Sequence, residues 1–166
     1  WHREVLKLDP GSTDSLQYCV DFFSANEMWR ELVGVYELGL RSRGRGGDEG
    51  AMLVQIAMIL WKKLGELKPA ESYFRRIKLS DPKNRLMLQF YSEFYTSQQD
   101  WRRLLGELTT RQQIEENAER RLELAREMAA VAEEKVGNRE KAIDVWKGVL
   151  KAEPALEYAV VELKRL

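Results

Sequence analysis

Cysteine and histidine are nearly missing from this sequence: its 166 residues hold one of each, Cys19 and His2. A lone cysteine excludes an internal disulfide, and with a lone histidine it leaves no Cys/His cluster able to cage zinc. Charge of one sign is lacking as well. Lys and Arg number 27 against 27 Asp and Glu, and the halves balance separately, with 13 basic and 12 acidic residues up to residue 83. Tight nonspecific binding to nucleic acid or to an anionic membrane therefore loses its usual electrostatic source. The longest apolar run, about Ala51 to Trp61, is interrupted by Gln55, so neither a membrane span nor a secretory leader is supported. There are only four prolines, and six of the eleven glycines fall between residues 34 and 50. Long stretches free of helix breakers predict a nearly all-helical chain.

What is present is a repeat. Pro10, Pro82 and Pro154 stand 72 residues apart, as do Trp29 and Trp101, Gly65 and Gly137, and Ala70 and Ala142. Apolar spacings of three and four divide each 72-residue unit into two helical hairpins. The expected helices run near 13–25 and 29–42, 49–63 and 68–79, 84–97 and 101–115, and 117–135 and 139–152. Hairpins are thus expected at about 13–43, 49–82, 84–115 and 117–153, with a trailing helix at about 155–166. Trp1 to Leu8 read as a helix body stopped at Asp9-Pro10, so residues 1–12 are expected to be a partial repeat. The whole of 1–166 is then one repeat segment, cut from a longer array.

Offsets within the repeat carry a known pattern. From Gly65 the small Ala70 is five on, the aromatic Phe74 nine on and Pro82 seventeen on; from Gly137 the same offsets reach Ala142, Trp146 and Pro154. This resembles the tetratricopeptide repeat. In that family glycine turns between antiparallel helices, the small residue admits their close crossing, the aromatic fills the space between them and proline ends the unit. The first and third hairpins depart from the pattern: no glycine occupies their turns, and Leu32 and Leu104 stand where the family prefers a small residue. The resemblance implies an all-α fold, a right-handed α-solenoid of antiparallel helix hairpins.

No catalytic constellation is evident. His2 lies at the chain's start, Cys19 falls on the apolar stripe with Leu16, Val20 and Phe23, and most carboxylates alternate with Arg or Lys, as in Glu119 to Arg121. No enzyme activity, cofactor or metal is expected. The Arg/Gly-rich stretch 41–50 lacks the Gly-Lys-Ser/Thr ending of a phosphate loop and reads as a joint, with a local basic contact as the lesser reading. The tryptophans and repeat-equivalent aromatics read as core, and Lys62-Lys63 as a basic pair favouring a helix C-terminus.

The resemblance implies a protein or peptide partner on the face lined by the first helix of each hairpin. Carried over by the repeat, that face holds Asp14, Gln17 and Asp21; Met52, Gln55 and Ile59; Leu86, Gln89 and Glu93; and Leu124, Glu127 and Val131. An amide or carboxylate recurs once per hairpin, at Gln17, Gln55, Gln89 and Glu127, and such a ladder suits an extended peptide backbone. Met52, Ile59 and Leu86 would receive its apolar side chains. The lysine and asparagine clamp of chaperone-binding relatives is absent, because Gln17, Asp21, Gln89 and Glu93 occupy its positions. Two alternatives stay open: a half-a-TPR-like RNA-processing scaffold, against which the zero net charge argues, and self-association or spacing through the end helices. The apolar Leu156, Tyr158, Val160, Val161 and Leu163 favour the latter. No membrane insertion is expected, and the compartment is left open.

Overall fold

In a computed structural model, Glu4, 13–42, 49–152 and 154–166 are described. Glu4 apart, the expectations for Trp1 to Leu8, for the proline stop at Asp9-Pro10 and for the centre of the Arg/Gly joint lie outside those residues. Among the described residues every regular element is helical. They fall into two compact units, Trp1–Pro82 and Lys83–Leu166.

In the first unit α1 (Thr13–Ala25) pairs with α2 (Trp29–Ser42). Next, α3 (Glu49–Met58), continued by a π-helical turn over Ile59–Lys63, pairs with α4 (Leu67–Ser80). In the second, α5 (Arg85–Ser97) pairs with α6 (Trp101–Ile114), and α7 (Ala118–Ala130), with its own π turn at Val131–Lys135, pairs with α8 (Arg139–Ala152). Helix α9 (Glu157–Arg165) packs on α8. It starts later than the sequence suggests, because Pro154 and Ala155 form a turn.

Each hairpin turns on one residue in the left-handed region: Glu27 (φ 54°), Gly65 (φ 67°), Gln99 (φ 56°) and Gly137 (φ 68°). Two turn geometries alternate. At Glu27 the chain closes a Schellman motif, its N–H donating to the Ser24 carbonyl at 3.2 Å and the Met28 N–H to the Phe23 carbonyl at 2.8 Å. Gln99 repeats this, donating to Thr96 at 3.1 Å while Asp100 donates to Tyr95 at 2.9 Å. The glycine turns are one residue wider. There Glu66 N–H reaches the Leu60 carbonyl at 2.7 Å and Asn138 N–H the Ala132 carbonyl at 2.8 Å, across the π turns.

Capping differs between the units. Asn84, Asp100, Asn117 and Asn138 accept from the backbone N–H three residues on, at 2.9 to 3.2 Å, so four helices of the second unit start on a side-chain cap. The first unit carries Met28 and Glu66 at the positions of Asp100 and Asn138, and Glu66 makes no capping bond.

Packing follows the repeat. Leu16, Cys19, Phe23, Leu32, Val35, Met52 and Ile59 form one buried cluster of the first unit, flanked by Trp29 and Tyr36. Leu104, Leu105, Leu108, Leu124, Met128, Trp146 and several alanines form a buried cluster of the second, in which Met87, Leu88, Phe90 and Tyr91 of α5 are buried as well. Ala70 and Ala142 are wholly buried, each on the second helix of its hairpin, and Phe74 sits edge-on to Trp61 at 6.0 Å. Leu32 and Leu104 are buried too, so the larger side chain is absorbed where the family prefers a small one. In the first unit Gly39 admits Met52 of α3, since an added Cβ would lie 3.2 Å from its Sδ. The cost of truncating a fully buried Phe74 to alanine is about 3–5 kcal/mol.

Candidate functional site

Alternation of buried and exposed positions sorts the twelve expected face residues. On α1, Asp14, Gln17 and Asp21 are exposed, and Gln17 Nε2 donates to Asp21 Oδ1 at 2.8 Å within the helix. Burial, and then the Asp21 charge, raise the Tyr36 phenol above its ordinary pKa. Of Met52, Gln55 and Ile59 only Gln55 is exposed. Met52 and Ile59 retain 7% of their surface and belong to the core cluster with Leu16 and Cys19, so they pack inward instead of lying open to a ligand side chain. In the second unit Leu86 (37% exposed), Gln89, Glu93 and Glu127 face solvent, Val131 is half-buried and Leu124 is core.

Two of these residues share a cavity. Gln89 of α5 and Leu124 of α7 line a cavity of about 200 Å³ with Arg85, Arg111, Arg120 and Glu115. Arg111 Nη1 donates to Ser92 Oγ at 3.1 Å, which holds that guanidinium at the wall. Glu115 Oε1 accepts from the backbone N–H of Asn117 and of Glu116, both at 3.1 Å. The Asn117 bond, helped by the Arg85 and Arg120 charges, holds this carboxyl below the ordinary glutamate range. Three guanidinium groups against one already satisfied carboxylate leave a net positive pocket beside an exposed amide. Such a pocket accepts carboxylate or backbone carbonyl oxygens.

The three arginines were not singled out in the sequence, where they read as solvated helix charges. Their convergence comes from the Gln99 turn, which lays the end of α6 beside the start of α5, and from the joint 115–117, which brings in the start of α7. Tyr18 and Phe22 are a second pair without an obvious sequence signal. They stack at 6.3 Å along α1 and remain 52% and 47% exposed, whereas the repeat-equivalent Phe90 is wholly buried and stacks on Phe94 at 5.5 Å. Among the described residues no group of three or more His, Cys, Asp or Glu could hold a metal ion, Cys19 is buried, and no helix is long and apolar enough to cross a membrane.

No protein-family model and no curated protein sequence matches this chain. A solved structure does: the crystal structure of YrrB, described as a TPR protein with an unusual peptide-binding site. It is 17% identical and superposes with a TM-score of 0.58, over 99% of this chain and 80% of that one. An identity this low speaks for the fold alone. Together with the helical hairpins, it establishes that the chain has a tetratricopeptide-like helical-repeat fold, an all-α architecture of the solenoid type.

Proposed function

We propose that this chain is a non-catalytic interaction scaffold that binds an extended peptide segment of a protein partner along the first helices of its hairpins. The observation that carries the reading is the cavity of the second unit, where Gln89 and Leu124 from successive first helices share a wall with Arg85, Arg111 and Arg120. Amide and guanidinium groups there are suited to a peptide's carbonyl and carboxylate oxygens, while Leu86, exposed on α5 three residues before Gln89, offers apolar contact. YrrB's peptide-binding site lends the general mode support, as does the use of helical repeats as interaction surfaces.

A display selection of random peptides tests this. Wild-type protein is expected to enrich a sequence class. A Gln17→Ala, Gln55→Ala, Gln89→Ala, Glu127→Ala variant with an unchanged circular-dichroism spectrum is expected to lose it. Equal enrichment by both proteins removes the first-helix face as the working surface.

Self-association is a second reading, favoured by α9. Tyr158, Val160 and Val161 are exposed there, Val161 by 60%, although Tyr158 packs edge-on to Trp146 at 5.6 Å and under Arg126 at 4.3 Å. Light scattering that shows a strict monomer at high concentration eliminates it.

A further inference from the structure

The two units differ at one place in a way that reads as a site. In the first, α2 and α4 are joined by a Tyr73–Glu37 hydrogen bond, and α4 and α3 by an Arg76–Glu49 ion pair at 2.8 Å. Seventy-two residues on, the same four positions hold Thr109 for Glu37, Arg121 for Glu49, Val145 for Tyr73 and Gly148 for Arg76. All four line one cavity of about 390 Å³ between α6, α7 and α8. The two side chains that bridge the helices in the first unit, a phenol ring and a guanidinium stem, are therefore cut back to an isopropyl group and a hydrogen atom. Nothing lies within 4 Å of a Cβ built on Gly148.

Chemistry changes along with shape. In the first unit a carboxylate at position 49 meets a guanidinium from α4. In the second the guanidinium comes from α7, as Arg121, and the α8 position that would face it by the repeat is Gly148, which carries no charge. Among the described residues the Arg121 guanidinium, the Lys141 ammonium and the Asp144 carboxylate, all on the cavity wall, form no ion pair or side-chain hydrogen bond. Two cations against one anion leave a positive balance. Leu122, Met128 and Val149 give the floor an apolar surface, and the volume lies in the range of sites that take a drug-sized group or a large side chain.

We propose that this cavity is a binding site for a peptide segment carrying an aromatic side chain beside an acidic one. The ring enters the space that Tyr73 fills in the first unit, against Val145 and over Gly148. The neighbouring carboxylate pairs with Arg121 and Lys141, taking the part that Glu49 plays toward Arg76 in the first unit. Gln113 on the wall presents an amide that matches a peptide backbone, as does the Gln112 side-chain oxygen, whose Nε2 donates to the Arg121 carbonyl at 3.5 Å; this favours a peptide over a free aromatic acid. The site is independent of the first-helix face proposed above.

The test is an amide-resonance titration of the 15N-labelled chain with the blocked tripeptide acetyl-Asp-Tyr-Asp-amide. Saturable shifts are expected at Thr109, Leu122 and Gly148, with the charge-reversed acetyl-Lys-Tyr-Lys-amide binding about tenfold more weakly or not at all. Val145→Tyr with Gly148→Arg restores the first unit's side chains and should abolish the shifts. The exposed Arg121→Gln should weaken them about tenfold without touching the core, which keeps the test decisive if the double variant unfolds. Gln89→Ala should leave them unchanged. No saturable shift, an equal response to the lysine peptide, or persistence in the filled variant overturns the proposal. So does equal binding of free N-acetyltyrosine, which assigns the cavity to a small aromatic acid, or the same shifts on concentrating the protein alone, which assigns it to a second copy.

Discussion

Lys63 Nζ stands 4.9 Å from the centroid of the Trp29 ring, and 72 residues later Lys135 Nζ stands 5.6 Å from that of Trp101. Each ammonium leaves the π turn that ends the first helix of one hairpin and covers the tryptophan that opens the second helix of the preceding hairpin. The basic pair at Lys62-Lys63 thus does more than suit a helix C-terminus. Lys62 lies over its own neighbour, Trp61, at 3.4 Å, and Lys63 closes the half-buried Trp29 against solvent. A cation held over an indole face at such distances contributes about 0.5–1 kcal/mol at an exposed site. Lys63→Met and Lys135→Met, which keep the stem and remove the charge, should each lower stability by about that amount in urea unfolding. Equal stability in both variants would show that the contact is made by the stem alone.

Turn residues give a prediction of opposite sign. Glu27 and Gln99 hold a left-handed backbone conformation that costs a residue with a Cβ about 1–2 kcal/mol, while Gly65 and Gly137 adopt it freely. Glu27→Gly and Gln99→Gly should stabilise by up to about 1 kcal/mol, less the extra chain entropy of glycine. Gly65→Ala should destabilise by about 1 kcal/mol although its Cβ meets nothing. Denaturation midpoints that move together in the same direction would refute the assignment.

Caps make the second test of unit asymmetry. Removing the Asp100 acceptor with Asp100→Ala should cost about 1 kcal/mol. At the equivalent first-unit position, Met28→Asp should add a comparable amount, because α2 begins there at Trp29 and Met28 is exposed. Hydrogen exchange of the α2 and α6 first-turn amides reports both changes locally.

Tyr73 is the group to follow with pH. Burial first, and then its hydrogen bond to Glu37, push its phenol up to about 12. Its folded pKa exceeds the unfolded value near 10, so the stability it contributes is complete below pH 10 and is lost as pH rises toward 12. In an ultraviolet phenolate titration, Tyr73→Phe should delete a late-ionising step and Glu37→Gln should bring that step to lower pH. An unchanged late step in Tyr73→Phe assigns it to another tyrosine.

Much of the helical order was legible because it is local. The 72-residue identities, Gly65 and Gly137 at the turns, and Ala70 and Ala142 at the crossings follow from steric demands that single residues meet. The caps at Asn84, Asp100 and Asn117 were not anticipated, although a cap is likewise a bond between residues three apart. The left-handed Glu27 and Gln99 were not legible, because neither side chain signals positive φ. There the Schellman bonds of the turn hold the backbone.

The sequence by itself determined the repeat, the helices and the amphipathic stripes, because these depend on periodicity and on near neighbours along the chain. Only the tertiary structure decided which stripe residues remain open. Met52 and Ile59 share the first-helix spacing of Gln55 yet point into the core, since how much of a helix is covered depends on the neighbours that pack on it. It also decided where charges converge. Arg85, Arg111 and Arg120 come from three helices, and Arg121 and Lys141 from two, and no one-dimensional spacing fixes contacts between separate elements. Such convergences form only when the hairpins pack.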